Sequence, residues 1–353
     1  MKAFVFLTIF LIIIYGGLLF ITWAIYTACD KDLTIISYFY PMMIMFFFGF
    51  GTYIAYKISE CLYSTMYIIT GTLTVFELYS FLFSCIHQII EAFTDLPLVW
   101  GLSIILIAPA LCCIYGLINV NVIHIDNVTL TFKGFKGKRK IAHLSDIHLG
   151  AIYKKGLVQK LVNKVNELKP DVVVITGDMA DGTMRVKSDW LSPFDSLTMP
   201  ILYITGNHEA LHGKQQMINA VEATNIKHIG NEVYQCCDMN FIGVDFEYDL
   251  NKRLTTLSPH YSNSELPNIL LCHIPSMKPE ELEKYNIFLF LAGHTHGGQI
   301  FPFQLFAYLG NACFNGLYSY NNHHIYVSPG VAAAVAPMRI GATSTIALIT
   351  IQG

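Results

Sequence analysis

Two aspartates, one asparagine and four histidines stand just beyond five short apolar runs in the second half of this chain. Asp146 and His148 follow the run Lys140–Leu144, and Asp178 follows Val172–Thr176. Asn207, with His208 and Glu209 behind it, comes after Ile201–Thr205. His273 closes Ile269–Cys272, and His294 and His296 follow Ile287–Ala292. Carboxylate and imidazole together suit divalent ions such as Mn²⁺, Fe²⁺ and Zn²⁺. Each motif alone is weak, since an isolated D-x-H or G-D is common and a lone histidine is usually structural. Five in order, each at the end of a run, point to one metal centre. Asp146/His148 and His294/His296 are spaced i, i+2, so a strand continuing through them would put each pair on one face.

The elements that must position these residues are legible around them. Runs of four to six apolar residues bounded by turn residues read as buried strands. Between the first two runs, Gly156 to Lys169 places Leu157, Leu161, Val165 and Leu168 at helical spacing, with Lys160, Lys164 and Glu167 opposite. That is an amphipathic helix. Strand, helix, strand implies a parallel pair with a right-handed crossover, and sites in such sheets gather at the carboxyl ends of the strands.

With those blocks in order, the chain resembles the calcineurin-like metallophosphoesterase superfamily, whose signature is D-x-H, G-D, G-N-H-[DE], H and G-H-x-H. The match runs from about Ile123 to Gly353. The strings HLSDIHLG, GHTHGGQIFPF and YVSPG are most similar to a membrane-associated branch. That branch includes UDP-diacylglucosamine pyrophosphatase-like enzymes and transmembrane proteins with a metallophosphoesterase domain. The resemblance implies a four-layer α-β-β-α sandwich carrying a dimetal site. Position by position, it implies one ion held by Asp146, His148, Asp178 and His296. It implies a second held by Asp178, Asn207, His273 and His294, with Asp178 bridging. Two ions roughly 3.5–4 Å apart clamp a phosphoryl group and convert a shared water to hydroxide at neutral pH. By the same resemblance His208 stabilises the transition state or protonates the leaving oxygen; the plainer alternative is a turn histidine held by Glu209. Asp181 reads as a helix cap or loop-orienting residue rather than a ligand. His143 sits within the first strand, out of alternation with Asp146 and His148. His212, His228, His260, His323 and His324 read as loop residues without partners, and Cys272 as a small buried side chain.

The first half is a different material. The chain is 54% hydrophobic and 13% charged, and all but three of its 22 Lys and Arg lie after Ile123. A bilayer core takes roughly 20 helical residues to cross. Four stretches meet that length, from about Ala3 to Ile25, Ile35 to Tyr56, Ser64 to Phe83 and Val99 to Val120. The expected organisation is therefore a four-helix all-α transmembrane region over residues 1–122, followed by an α/β metallophosphoesterase domain over 123–353. The first stretch is too long, and lacks a small-residue cleavage site, for a signal peptide. Lys2 and Lys57 fall on one side with Lys133, Lys136, Lys138, Arg139 and Lys140, which orients both termini and the catalytic domain to the cytoplasm of a multi-pass cell-membrane protein. Glu77, inside the third stretch, is either functional or a protonated carboxyl bonded within the bundle. Nine cysteines without a C-x-x-C read as free thiols, and a net charge of -3 gives no reason to expect nucleic acid.

The spans favour a lipid-linked phosphodiester or pyrophosphate substrate, with membrane lipids as partners. A soluble nucleotide or phosphoprotein substrate is the alternative within the same chemistry. A membrane receptor or transporter with a metal-dependent sensor domain is the alternative outside it. Residues 300–309 (IFPFQLFAYL) form either a lid facing bilayer or acyl chains or a buried connection. The basic cluster Lys133 to Lys140 either meets anionic headgroups or is a solvated hairpin around Gly137.

Overall fold

The computed structural model describes residues 2–246 and 249–353; side-chain surroundings are described outside 2–13 and 211–212. Its backbone divides into two units, Met1–Ile118 with Val335–Met338, and Asn119–Ala334 with Arg339–Gly353.

The first unit is built on the helices Lys2–Ala28, Phe39–Ile58 and Glu60–Glu91 and on the helical run Leu98–Asn119, which carries a π turn at Ser103–Ile107. Three described stretches, Ile35–Ile58, Glu60–Glu91 and Leu98–Asn119, are long and apolar enough to cross a membrane. The first expected span begins among residues whose side chains lie outside the described set; its described apolar part is Ile14–Ala28. Large apolar side chains such as Phe46, Phe47 and Ile118 point outward, as expected of helices whose solvent is hydrocarbon. Inside, Ile21, Ala24 and Ile105 pack together with Phe81 against them. The hydroxyls of Thr52 and Thr70 meet at 3.0 Å, and the Ser59 hydroxyl accepts from the Leu62 amide to start the next helix.

The second unit contains two six-stranded sheets. In the first, β1 (Ile123–Thr131), β12 (Ser344–Gln352), β2 (Lys138–Leu144), β3 (Val172–Thr176), β4 (Ile201–Ile204) and β5 (Ile226–His228) lie side by side in that order. In the second the order is β10 (Gly316–Tyr320), β11 (His323–Val327), β9 (Leu289–Ala292), β8 (Asn268–Cys272), β7 (Met239–Val244) and β6 (Val233–Cys236). β2, β3 and β4 are mutually parallel, as are β7, β8 and β9. Strands buried on both faces need continuous apolar runs. β3 (VVVIT) and β8 (NILLC) are buried at every position.

One core joins the two sheets, with Ile141, Val172, Val174 and Ile349 of the first meeting Phe241, Ile269, Leu271 and Leu291 of the second. On the opposite face of the first sheet, the helix Lys155–Leu168 buries Val158, Leu161, Val162 and Val165 against Ala142, Val173 and Ile175. The helix Leu250–Leu257 and the turn Pro279–Tyr285 cover the second sheet through Leu254, Leu257 and Leu282.

Some sequence expectations are corrected. The basic segment Lys133 to Lys140 is not a hairpin, because the C-terminal strand β12 inserts between β1 and β2. Its turn does use Gly137, at φ +87°. His228, His323 and His324 are strand residues with partners. His228 Nε2 lies 3.2 Å from both Asp245 oxygens, His323 Nδ1 donates to the Ile287 carbonyl and His324 meets the Ser319 hydroxyl. β5 is a three-residue edge strand and β11 sits one place in from the edge, and in each case the histidines stand at a strand end, where a short pattern resembles a loop.

Candidate metal centre

Parallel strands deliver their carboxyl ends to one edge, and the predicted ligands stand there. The register matches Leu144 with Ile175 and Ile175 with Tyr203, so β2, β3 and β4 end within a residue or two of each other. The second sheet is tied to that edge directly. His273 Nδ1 donates to the Thr176 carbonyl at 2.7 Å, and the His294 amide lies 3.2 Å from both Asp146 carboxylate oxygens.

Side chains converge from both sheets. His148 Nε2 and His296 Nε2 are 3.0 Å apart, and His296 Nε2 is 3.4 Å from Asp146 Oδ1. His273 Nε2 is 3.1 Å from Asp178 Oδ2, and His148 Nε2 is 3.9 Å from the same oxygen. Asp146, His148 and His296 form one cluster whose ligand atoms lie within 4.8 Å of one another, and Asp146, Asp178 and His273 form another. Asn207 Oδ1 meets His294 Nδ1 at 2.9 Å, which adds that pair beside the second cluster. All seven predicted ligands are therefore at one edge. His208 also comes close, its Nε2 4.0 Å from Asp178 Oδ2.

The way the loops aim these groups differs from the alternation expected of a strand. β2 ends at Leu144 and β9 at Ala292, before the ligands begin. Asp146, His148, Asp178, His294 and His296 all adopt positive φ, between +49° and +73°. Left-handed backbone costs roughly 1–2 kcal/mol for a residue with a Cβ, and such strain collects at functional sites where packing imposes it. Gly177 makes the approach possible. At φ +87°, a Cβ there would lie 2.7 Å from His273 Nδ1 and 2.8 Å from the Gly206 backbone.

The surroundings fix each group's protonation and direction. Donation from His273 Nδ1 to the Thr176 carbonyl turns Nε2 toward Asp178, 3.1 Å from its Oδ2, the arrangement found behind metal-ligating histidines. That Nε2 is buried with no hydrogen-bond partner of good geometry, as expected of a nitrogen placed to coordinate a cation. Burial lowers the pKa of His148 to about 4 and of His296 to about 3, and lowers that of His294. These imidazoles stay neutral, as ligation requires. Burial opposes the charge on Asp178, yet His273 holds that carboxyl well below its usual range, and Asp178 in turn raises His273. The mixed N/O donor set and the orphaned nitrogen fit divalent transition ions.

The side chains behind the ligands are specific. Glu209 accepts from the backbone amides of Asp178, Ala180 and Gly206, so it braces two ligand loops and does not hold His208. His208 Nδ1 instead meets the Asp181 carbonyl at 2.8 Å, turning Nε2 toward the centre. The Asp181 carboxylate accepts from the Ala151 and Thr183 amides and the Thr183 hydroxyl. His143 is buried with Nε2 2.8 Å from the Thr176 hydroxyl, outside the cluster.

One functional residue escaped the sequence reading. Arg339 is fully buried and donates to the carbonyls of His296 (3.0 Å), Thr343 (2.9 Å), Pro329 (2.6 Å) and Ala332. It anchors the backbone of a predicted ligand. The only signal available was its isolation, since no Asp, Glu, Lys or Arg occurs between His296 and Arg339.

Comparison with known proteins bears on this geometry. A family model described as calcineurin-like phosphoesterase matches residues 139–298. An uncharacterized metallophosphoesterase of Helicobacter pylori is 34% identical over 219 residues, covering 60% of this chain and 59% of that protein. A Danio rerio "transmembrane protein with metallophosphoesterase domain" is 31% identical over 283 residues, covering 70% and 62%. An uncharacterized metallophosphoesterase of Aquifex aeolicus is 30% identical over 233 residues, covering 61% of this chain and 85% of its own. The chain spans about half to three-fifths of the length of the first curated relatives it matches.

Proposed function

The chain belongs to the calcineurin-like metallophosphoesterase family, and from that premise we propose that it is a membrane-anchored hydrolase of a lipid-linked phosphodiester or pyrophosphate. The observation that carries this reading is the convergence of Asp146, His148, Asp178, His273 and His296, from both sheets, on one buried centre. In this reading Asp146, His148, Asp178 and His296 hold one divalent ion. Asp178, Asn207, His273 and His294 hold the other, the ions being Mn, Fe or Zn. A pair of such ions supplies Lewis-acid polarisation of the phosphoryl group and a hydroxide nucleophile at neutral pH.

The chain's own residues do the rest. Asp178, whose Oδ2 lies 3.1 Å from His273 Nε2 and 3.9 Å from His148 Nε2, would be the shared ligand. His208, its Nδ1 donating to the Asp181 carbonyl, would act as the imidazolium, giving the Nε2 proton to the leaving oxygen and becoming the neutral ring, a role worth about 10²–10⁴-fold in rate. Glu209 keeps the Asp178 and Gly206 loops in register, so the two ligand sets stay at a fixed separation.

The membrane assignments belong to the same proposal. Residues 1–122 form a four-span bundle, the helix Lys2–Ala28 being the first span, and the catalytic domain of residues 123–353 sits on the cytoplasmic side. That domain is an α-β-β-α sandwich, a reading supported by helices covering the outer face of each sheet. A lipid-linked substrate is favoured because the chain itself carries apolar helices of membrane-crossing length.

Full-length protein in detergent, loaded with Mn²⁺, tests the proposal beside Asp178→Asn. Both are incubated with a native membrane lipid extract and with a chromogenic bis-aryl phosphate, and phosphorus NMR follows the lipid phosphates. Loss of a lipid phosphodiester or pyrophosphate signal with wild type alone is the expected result. Cleavage of the chromogenic diester with untouched lipids would move the substrate to soluble phosphoesters. No cleavage of either would favour a metal-dependent sensor.

A further inference from the structure

The segment that follows the last metal-ligand motif has an unusual surface. The helix Phe303–Gly310 contains no buried residue. Phe301, Phe303, Leu305, Phe306, Tyr308 and Leu309 are all exposed, Phe306 at 65% and Leu309 at 71%. A solvent-facing helix normally carries charges on its outer side, yet this one lies within the stretch between His296 and Arg339 that has no Asp, Glu, Lys or Arg. The outcome of the sequence alternatives for 300–309 is thus an exposed aromatic helix and not a buried connection.

Its anchorage gives the direction. Gln304, the helix's single polar side chain before its glycine end, donates to the Ile340 carbonyl at 3.0 Å, and the Phe301 amide donates to the same oxygen at 2.8 Å. Asn119, the last residue of the apolar run Leu98–Asn119, donates to the Arg339 carbonyl at 3.0 Å and the Ala342 carbonyl at 2.9 Å. The aromatic helix and the chain's point of exit from that apolar run therefore share one four-residue segment, 339–342. Register puts the same segment beside the metal centre. Ile123 pairs with Ser344, and continuing the β12–β2 pairing of Ala347 with His143 brings Ser344 level with Asp146. The basic segment Lys133 to Lys140 is at the other end of β1, roughly 25 Å away at 3.3 Å per residue, so cationic attraction to headgroups does not operate at this edge.

We propose that Phe301 and the helix Phe303–Gly310 lie in the interfacial layer of the bilayer, seating the mouth of the metal centre against lipid headgroups. An uncharged aromatic surface is the composition that partitions to that layer. The covalent link through Val120, Asn121 and Val122 keeps this edge within a few residues of the apolar helix. The bilayer is therefore the surface within reach. The proposal rests on apolar helices crossing a membrane and is independent of the phosphoesterase reading.

The test uses the full chain in phosphatidylcholine vesicles, with a benzophenone-bearing phenylalanine installed at Phe306 and, in a second protein, at Tyr308. A third protein carries it at Lys136, in the exposed turn at the other end of β1, roughly 25 Å from this edge. After irradiation, mass spectrometry of the peptides reads the adducts. The expected result is a phospholipid adduct at Phe306 and Tyr308, roughly tenfold above position 136, as interfacial burial requires. Lipid adduct no greater than at position 136 overturns the proposal. An adduct to protein, within the chain or between two copies, overturns it too and identifies the actual occupant. Because the readout is covalent capture of lipid, its failure leaves hydrolysis of the chromogenic diester untouched, so the two readings fail separately.

Discussion

Replacing Arg339 by methionine tests how the metal centre is held. The side chains are of similar length, so the main change is loss of the guanidinium. Arg339 donates to four carbonyls, those of His296, Thr343, Pro329 and Ala332. Hydrogen bonds to a charged group contribute about 1.5–3 kcal/mol each, so four at the low end come to about 6 kcal/mol. Burial works against the charge, lowering the pKa from 12.5 to about 10, a penalty of about 3 kcal/mol. Arg339→Met is thus expected to cost about 3 kcal/mol. Arg339→Lys should recover less than half of that, because one ammonium cannot span the same fork of carbonyls. Trp190 is a suitable reporter. It is buried in the core of the second unit, and the other two tryptophans, Trp23 and Trp100, fall in the apolar helices and are removable as Phe. Urea unfolding of detergent-solubilised protein, read by Trp190 emission, gives the difference. Since Arg339 holds the His296 backbone, bound Mn²⁺ should weaken about 10–100-fold in parallel. Stability within about 0.5 kcal/mol of wild type, with unchanged Mn²⁺ affinity, would refute the account of Arg339 as the anchor of that loop.

Three further outcomes follow from the same geometry. His208→Gln should lower hydrolysis of a chromogenic diester about 10²–10⁴-fold with metal content unchanged; loss of bound metal would instead make His208 a ligand, as its distance from Asp178 permits. Asp245 accepts from the Thr205 amide at 2.9 Å and pairs with Lys214 at 3.1 Å. Burial opposes its charge, but His228, the Thr205 amide and Lys214 hold its pKa down at about 2. A depressed carboxylate stabilises the fold above its unfolded pKa of 3.8 and loses that contribution as pH falls toward 2. Asp245→Asn should therefore cost about 2 kcal/mol at pH 7 in urea titrations, with the difference from wild type shrinking between about pH 4 and 2. Gly177→Ala should destabilise by about 1–3 kcal/mol from its positive φ alone and lower Mn²⁺ affinity in a calorimetric titration. The added methyl collides with His273 and with Gly206.

Much of this protein was legible from its residues in order. Apolar runs long enough to be β2, β3, β4, β8 and β9 are local in sequence, because strands buried on both faces must be continuously apolar. Polar ligands immediately after them had to fall at a sheet edge, and parallel pairing sends those ends the same way. The span-length helices were equally local, since a bilayer imposes its thickness on consecutive residues. Non-local facts were not legible. That β12 separates β1 from β2 depends on pairing between residues some 200 positions apart, such as Ile123 with Ser344. His148 and His296 meet through left-handed backbone at both, where the i, i+2 spacing had suggested a strand continuing through each pair. Arg339 looked like a lone cation after an uncharged stretch, and only packing turned it inward onto four carbonyls. Likewise, the composition of 300–309 suited burial and exposure equally, and the exposure of Phe306 and its neighbours in the fold decided it. Composition and spacing set which groups are available and which elements carry them. Which groups meet, and which face stays open, is decided by contacts between distant segments, whose free energy no local window of sequence contains.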